Sequence, residues 1–334
     1  MNGGNIVVFA TSFLDDLPTE PPGVGEGVRL LGELSDGSGG KVKVTYNCDR
    51  DPTEPLTPRE LAGVRAVIAD LEHYPASLLA EVGPKGGGSL ELIARYGVGY
   101  DSVDLDAATK AGILVTNTPG ANTVPTAEWA VATVLDIAGR RLPHHRRASQ
   151  GLPKSGPSRL DVSGRTLGIV GTGAIGRTVA ELLKGFNMHI IAYDPYPQEE
   201  WAEANGVTYV DFYALCGQAD FITLHAATKK QLVGPQELSL MKPTTALINC
   251  ARGVLVDERA AYEAVKEGRL FGYGVDEVWH HAELPLEDLN IAVSPHVGSD
   301  TDGGKAGMQQ LSAEAVVDFF SGKTPRFALN SPEV

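Results

Sequence analysis

The sequence predicts an α/β fold of two doubly wound parallel sheets, and three observations predict it. Short apolar runs such as NIVVFA, VRAVIAD, LELIARY, DFITLH and TALINC alternate with segments of helical period along most of the chain. That alternation is the mark of βαβ units rather than of hairpins. A strand–turn–helix–strand unit with three spaced glycines occupies residues 165–194. Finally, 334 residues with 43% hydrophobic and 21% charged side chains are enough for two domains, each with its own core.

Taken in order, residues 5–10 read as a strand, VRLLGEL as a short helix within an acidic, Gly/Pro-rich stretch from Asp15, and KVKVTYN as a half-exposed strand. DPTEPLTPRELAG reads as a helix capped at Thr57. Then follow strand VRAVIAD, helix HYPASLLAEV, strand LELIARY, helix DLDAATKAG and strand ILVTN. Asn122 or Thr123 caps a long helix to about Arg141, with Pro125 in its first turn and Glu128 near its positive end. LPHHRRASQGLPKSGPSRLD reads as a basic loop. After the glycine unit come helix YVDFYALCGQ, strand DFITLH, helix PQELSLMK, strand TALINC, helix ERAAYEAVKEG, and strands FGYGVDEV and NIAVSPH around a polar loop. An amphipathic helix, Lys305 to Phe320, comes last. With the glycine unit mid-chain and a lone helix after it, one economical arrangement is an insertion. Residues 119–300 form a nucleotide domain, residues 1–118 and 301–334 the other domain, and a ligand is expected in the cleft between such domains.

The unit itself reads RTLGIVGTGAIGRTVAELLKGFNMHIIAYD. Gly171 permits the turn out of the strand, Gly173 lets backbone amides approach a pyrophosphate, and Gly176 allows close helix–sheet packing. Residues 173–176, Ala174 and Ile175 included, open the helix, whose N-terminus offers free N–H groups to an anion. Asp194 stands 18 residues beyond Gly176, at the end of the next strand. There it accepts hydrogen bonds from adenosine ribose hydroxyls and repels a 2′-phosphate, so NAD is expected and NADP disfavoured. The bland alternative is a crossover with a glycine-rich turn and no ligand; the strand, helix and acid in the right places weigh against it.

The net charge of −14 disfavours nucleic acid or an anionic membrane as partner. An anionic substrate then needs a local positive site. Cys48, Cys216 and Cys250 are too scattered for a disulfide framework or a zinc cluster, which fits a reducing compartment. The N-terminus lacks a basic leader and no apolar run approaches the ~20 residues of a membrane span. A cytoplasmic location with no metal is the expectation.

Four segments carry a family resemblance: ARYGVGYDSVDLDAATKAGILVTNTPGANT, GRTLGIVGTGAIGRTVA with its YDP, ALINCARGVLVDERA, and SPHVGSDT. Together, across about residues 94–300, they resemble the D-isomer-specific 2-hydroxyacid dehydrogenases, among them phosphoglycerate, D-lactate and glyoxylate/hydroxypyruvate-reducing members. The resemblance implies a Rossmann NAD domain inserted into a flavodoxin-like substrate domain, usually as a homodimer. It places a substrate carboxylate on the backbone N–H groups of Val98 and Gly99, and a carboxylate- and carbonyl-holding role on Arg252. The guanidinium's planar fork and permanent charge suit that role, the alternative being a surface ion pair with Asp257 or Glu258. His296 matches the family's acid/base, against the alternative of a structural histidine. Asp276 matches a position near the nicotinamide carboxamide. His225 falls on the adenosine–pyrophosphate side, with structural service an equal alternative. Cys250 falls beside the cofactor as a small packing residue, with no base to make it a nucleophile.

One departure bears on mechanism. The family pairs its histidine with a glutamate about five residues past the strand aspartate, which here is His281; Glu283 lies at seven and precedes Leu284 and Pro285. Glu283 is the expected partner, since a carboxylate favours the charged ring; His281 is the rival and Glu277 a third choice. Leu71, Glu72, His73, Tyr74, Tyr100 and Trp279 are candidates to face the substrate side chain, with ordinary packing as even alternative. Arg95 and the basic stretch 140–147 leave room for a second anionic group. With the sequence ending at Val334, the regulatory domain of longer phosphoglycerate dehydrogenases is not expected. The expected activity is NADH-dependent reduction of a small 2-oxo acid to its D-2-hydroxy acid and the reverse. Formate or phosphite oxidation on the same scaffold, or a non-catalytic NAD(H)-sensing protein, are the alternatives.

Overall fold

Val64, Val67 and Ala69 pack into one apolar cluster while Ala66 and Ile68, between them, pack into another. A strand apolar on both faces must be covered on both, which is the condition of a parallel sheet flanked by helices. The computed structural model describes residues 3–14, 25–154, 156–280, 282–286 and 288–332, so the acidic stretch from Asp15 to residue 24 and His281 fall outside the described residues. The chain divides into two compact units: Met1–Asn122 with Asp300–Val334, and Thr123–Ser299.

The first unit holds β1 (Gly4–Val8), β2 (Val42–Tyr46), β3 (Val64–Ala69), β4 (Leu92–Arg95) and β5 (Leu114–Thr116). All pairings are parallel, in the order β2-β1-β3-β4-β5. One face is covered by helices Glu26–Gly37 and Asp302–Phe320, whose Leu31, Leu34, Met308, Val316 and Phe320 join Ile6, Val8 and Ile68. The closing helix begins earlier than expected because the Thr301 side chain accepts from Gly304 N and caps it.

The second unit holds β6 (Thr166–Val170), β7 (His189–Tyr193), β8 (Val207–Tyr209), β9 (Phe221–Leu224), β10 (Ala246–Asn249), β11 (Gly272–Asp276) and β12 (Ile291–Ser294). The order β12-β11-β10-β9-β6-β7-β8 is again wholly parallel. Strand order reverses between β6 and β9 here, and between β1 and β3 in the first unit. In such sheets ligands gather at the carboxyl ends beside the reversal.

Three expectations are corrected. The segment after Thr57 is a turn, not a helix: Thr57 N and Oγ1 donate to Glu60 (2.8 and 2.7 Å), a cap-like pairing. But Gly63, at φ +73°, turns the chain into β3 before a full helical turn can close. The basic loop contains a helix, Arg141–Ser149, separated from helix Thr123–Gly139 by Arg140 at φ +50°. Its weak apolar content hides it in the sequence; Arg146 and Arg147 complement the negative end of its dipole. Helix Glu199–Asn205 and strand β8 have no counterpart in the sequence pattern, the helix being short and mostly exposed and the strand only three residues long.

Candidate active site

The turn after β6 takes the shape its glycines allow. Gly171 sits at φ +94°, and a Cβ there would meet the His225 carbonyl carbon and oxygen at 2.8 Å. At Gly176 a Cβ would lie 2.1 Å from Gly171 O, so the helix approaches the turn as only glycine permits. Gly173, the N-cap of helix Ala174–Leu183, faces open space, with nothing within 4 Å of its Cβ position. Open room over helix N-terminal amides suits a pyrophosphate. Asp194, just past β7, accepts from Thr172 N (2.7 Å), Thr172 Oγ1 (3.1 Å) and Tyr196 N (2.8 Å). Its carboxylate therefore helps build the turn itself. His225 bonds Thr223 through Nε2 (2.9 Å), leaving a buried Nδ1 without a partner; burial lowers its pKa to about 4. A neutral ring with an orphaned nitrogen beside Gly171 fits a site that a dinucleotide completes.

Chemistry-bearing side chains gather at the carboxyl ends of β10, β11 and β12. Arg252 follows β10, half-buried, with Nη1 donating to Ala251 O (2.8 Å) and its own carbonyl held by Asn249 Nδ2 (2.7 Å). Of the acids weighed as its ion-pair partners, Asp257 caps helix Glu258–Lys266 and Glu258 also holds His280. His296 lies two residues past β12 at φ +59°, one of three non-glycine residues at positive φ among the described residues. Such a conformation for a histidine is strained and points to a functional turn.

Asp276 imposes that turn. Ser294 Oγ (2.6 Å) and Val297 N (2.9 Å) donate to Oδ1, and Gly298 N (2.7 Å) donates to Oδ2. With about four lone-pair directions on a carboxylate, roughly one remains for the cofactor amide the resemblance implied.

The carboxylate facing His296 is Glu277, whose Oε2 lies 3.6 Å from Nδ1. The expected partner Glu283 is corrected: it pairs with Arg259 on the surface. The loop folds back so that Glu283 N and Leu284 N both bond His280 O, and Trp279 Nε1 bonds Leu284 O (2.8 Å). Burying Leu284 turns Glu283 outward. Glu277 gains its place from Gly253, where a Cβ would stand 2.8 Å from Glu277 Cγ. The glycine of NCARG thus brings the carboxylate beside the arginine's strand end, a signal present in the sequence and missed there.

Electrostatics tie the three together. The Glu277 carboxylate at its Nδ1 holds the His296 pKa above the ordinary value, against burial and the nearby Arg252 charge, with Asp276 adding to the rise. Contact with His296 correspondingly lowers the Glu277 pKa, against burial. Arg252, Glu277 and His296 thus lie in one electrostatic neighbourhood.

Other candidates fare differently. Cys250 is buried in the core beside β10, its thiol pushed up to about 12 chiefly by burial, so it packs rather than attacks. Trp279 packs against Tyr262 and Tyr273 with tilted rings (centroids 6.5 and 6.3 Å) and is a packing residue. In the first unit Glu72 and Tyr74 are fully buried, whereas Leu71 and Tyr100 are 51% and 42% exposed. The turn of Val98 and Gly99 follows β4, and Arg95 is buried beneath it, bonding Gly99 O (3.0 Å) and Ala69 O (2.7 Å).

The glycine turn, a guanidinium and an imidazole–carboxylate pair all stand at the carboxyl edge of one sheet, an arrangement suited to hydride exchange at an oxygen-bearing carbon. That is the work of nicotinamide-dependent dehydrogenases. Comparison with known proteins narrows the class. The D-isomer specific 2-hydroxyacid dehydrogenase NAD-binding domain matches residues 131–298. A glyoxylate reductase of Thermococcus litoralis is 39% identical over 267 residues, 75% of this chain and 79% of that protein. A D-3-phosphoglycerate dehydrogenase of Methanocaldococcus jannaschii is 37% identical over 257 residues, 73% of this chain and 48% of that one. A crystal structure of a Thermus thermophilus protein superposes with TM-score 0.78 at 29% identity, covering 98% of this chain and 100% of that one. The chain belongs to the D-isomer-specific 2-hydroxyacid dehydrogenase family and is an oxidoreductase with a nicotinamide dinucleotide cofactor. Among the described residues no helix is long and apolar enough to cross a membrane.

Proposed function

We propose that this chain reduces a small 2-oxo acid to its D-2-hydroxy acid with NADH, and catalyses the reverse. The observation that carries the reading is the convergence of Arg252, Glu277 and His296 at adjacent strand ends of the sheet that bears the dinucleotide turn. When bound, the nicotinamide supplies or accepts the hydride. His296 delivers a proton to the carbonyl oxygen during reduction and takes it back during oxidation. Glu277 favours the charged imidazole before the transfer, and Arg252 stabilises the negative charge developing on oxygen, worth about a few kcal/mol at such sites. Val98 and Gly99 offer amides to the substrate carboxylate. The reading carries with it a homodimer and a cytoplasmic location. Initial rates with glyoxylate, hydroxypyruvate, pyruvate and longer 2-oxo acids, followed by NADH absorbance with chiral analysis of the product, test it directly. Turnover of formate or phosphite and of no 2-oxo acid would replace it with an oxidation on the same scaffold.

The acid assignment has its own test. Reduction needs His296 protonated, and a raised pKa extends that state to higher pH than a free imidazole allows; the rate falls as pH rises through the raised value. Glu277→Gln removes the raising charge, so the fall in kcat/KM moves to lower pH. Glu283→Gln leaves the profile in place, since Glu283 serves only an exposed ion pair. A shifted profile for Glu283→Gln and an unshifted one for Glu277→Gln would reverse the assignment. The stability linkage has the same sign: the stabilisation from a raised His296 pKa is present below the unfolded value and lost as pH rises through the folded one.

Cofactor choice rests on Asp194. Asp194→Ser retains an acceptor for Thr172 while removing the charge that repels a 2′-phosphate. The expected result is a kcat/KM ratio of NADH to NADPH reduced by about tenfold or more, roughly the weight of one charged contact. An unchanged ratio would place the discrimination elsewhere.

A further inference from the structure

Three carbonyls in a row beyond β4 are held from behind by buried side chains of the first unit. Gly97, at φ +138°, exchanges two bonds with Thr118: its N–H donates to Oγ1 (3.1 Å), and its carbonyl accepts from Thr118 N (3.1 Å). Asn117 Nδ2 donates to Val98 O (2.8 Å), and Arg95 Nε donates to Gly99 O (3.0 Å). Arg95, Asn117 and Thr118 are 4%, 9% and 0% exposed, so these bonds form where water does not compete.

A trans peptide points its C=O and the following N–H in opposite directions. Drawing the carbonyls of Gly97, Val98 and Gly99 inward therefore turns the amides of Val98, Gly99 and Tyr100 outward. Among the described residues none of these amides donates to a protein acceptor. Successive free N–H groups in a turn make an anion-binding concavity, and the buried guanidinium beneath adds positive charge.

We propose that Arg95, Asn117 and Thr118 are positioning residues that hold the turn as a three-amide receptor for the substrate carboxylate, with the Tyr100 N–H as its third donor. This deepens the 2-oxo acid reading and rests on it. None of the three side chains touches the substrate; each acts through a carbonyl of the turn. Arg95 is thereby committed to the turn rather than to a second anionic group of the substrate.

The test compares Arg95→Lys, Asn117→Asp and Thr118→Val with the unaltered chain, using a turned-over 2-oxo acid and the corresponding 2-oxo amide, which lacks the carboxylate. Each variant should raise KM for the acid on the order of tenfold, as loss of a hydrogen bond serving a charged group does, with kcat nearly kept. KM for the amide and the NADH dissociation constant should stay unchanged. A rise shared by acid and amide, or no rise in any variant, overturns the proposal. Independently, oxamate added to the NADH-loaded chain should shift the Val98, Gly99 and Tyr100 amide resonances, and Asn117→Asp should weaken that response; unmoved resonances in the unaltered chain overturn it. If no 2-oxo acid is turned over but oxamate still moves those amides, the receptor stands and the activity reading fails.

Discussion

His296→Asn is expected to lower kcat for 2-oxo acid reduction by about 10²–10⁴-fold, the usual contribution of a positioned acid/base. Asparagine keeps a donor of similar reach and tolerates positive φ better than most residues, so the turn at φ +59° survives the exchange. Because Asp276 holds that turn through Ser294, Val297 and Gly298, none of which is altered, the dinucleotide affinity should remain. The descending limb of the pH profile should vanish together with the rate, since the group that titrates is gone. Steady-state kinetics and NADH fluorescence titration read both quantities, and a variant with near-normal kcat would remove His296 from the chemistry.

Arg252→Ala should reduce kcat/KM by about 10²–10³-fold or more, because it removes both a carboxylate anchor and the charge opposite the developing oxyanion. Arg252→Lys should recover only part of this, as an ammonium lacks the planar fork. NADH binding should change little, for Arg252 stands at the end of β10 while the dinucleotide turn follows β6. The imidazole reports the same change from the other side. Arg252 lowers the His296 pKa, so its removal should carry the fall in residual activity to higher pH. Equal loss of turnover and of NADH binding would instead mark the residue as structural.

Both sheets and the glycine-shaped turn after β6 were legible in the chain because each depends on local information. Leu167 and Ile169 pack on one side of β6 and Val170 on the other, a pattern readable as a buried strand. Gly171 and Gly176 are dictated by backbone geometry that no other residue accommodates. The helix Arg141–Ser149 was hidden because charge outweighs its periodicity, and the turn at Thr57 looked helical because its cap is real.

The histidine's partner was legible only as a third choice, Glu277 standing behind Glu283 and His281. Counting along the loop gave His281 or Glu283, and position in the loop says nothing about direction once Leu284 is buried and Trp279 closes over it. Glu277 reaches His296 only because β11 and β12 lie side by side, with Gly253, beyond the neighbouring β10, leaving the space.

What this chain determines by sequence alone is the order of its strands and helices, the glycines of the dinucleotide turn and the residue types available for proton and charge transfer. Each follows from periodicity or from a backbone angle that one residue type favours. Only the tertiary structure decided which carboxylate meets which imidazole and which carbonyls are drawn inward at Gly97–Gly99. Those outcomes depend on strands far apart in the chain pairing side by side, and on which side chains must be buried to let them do so.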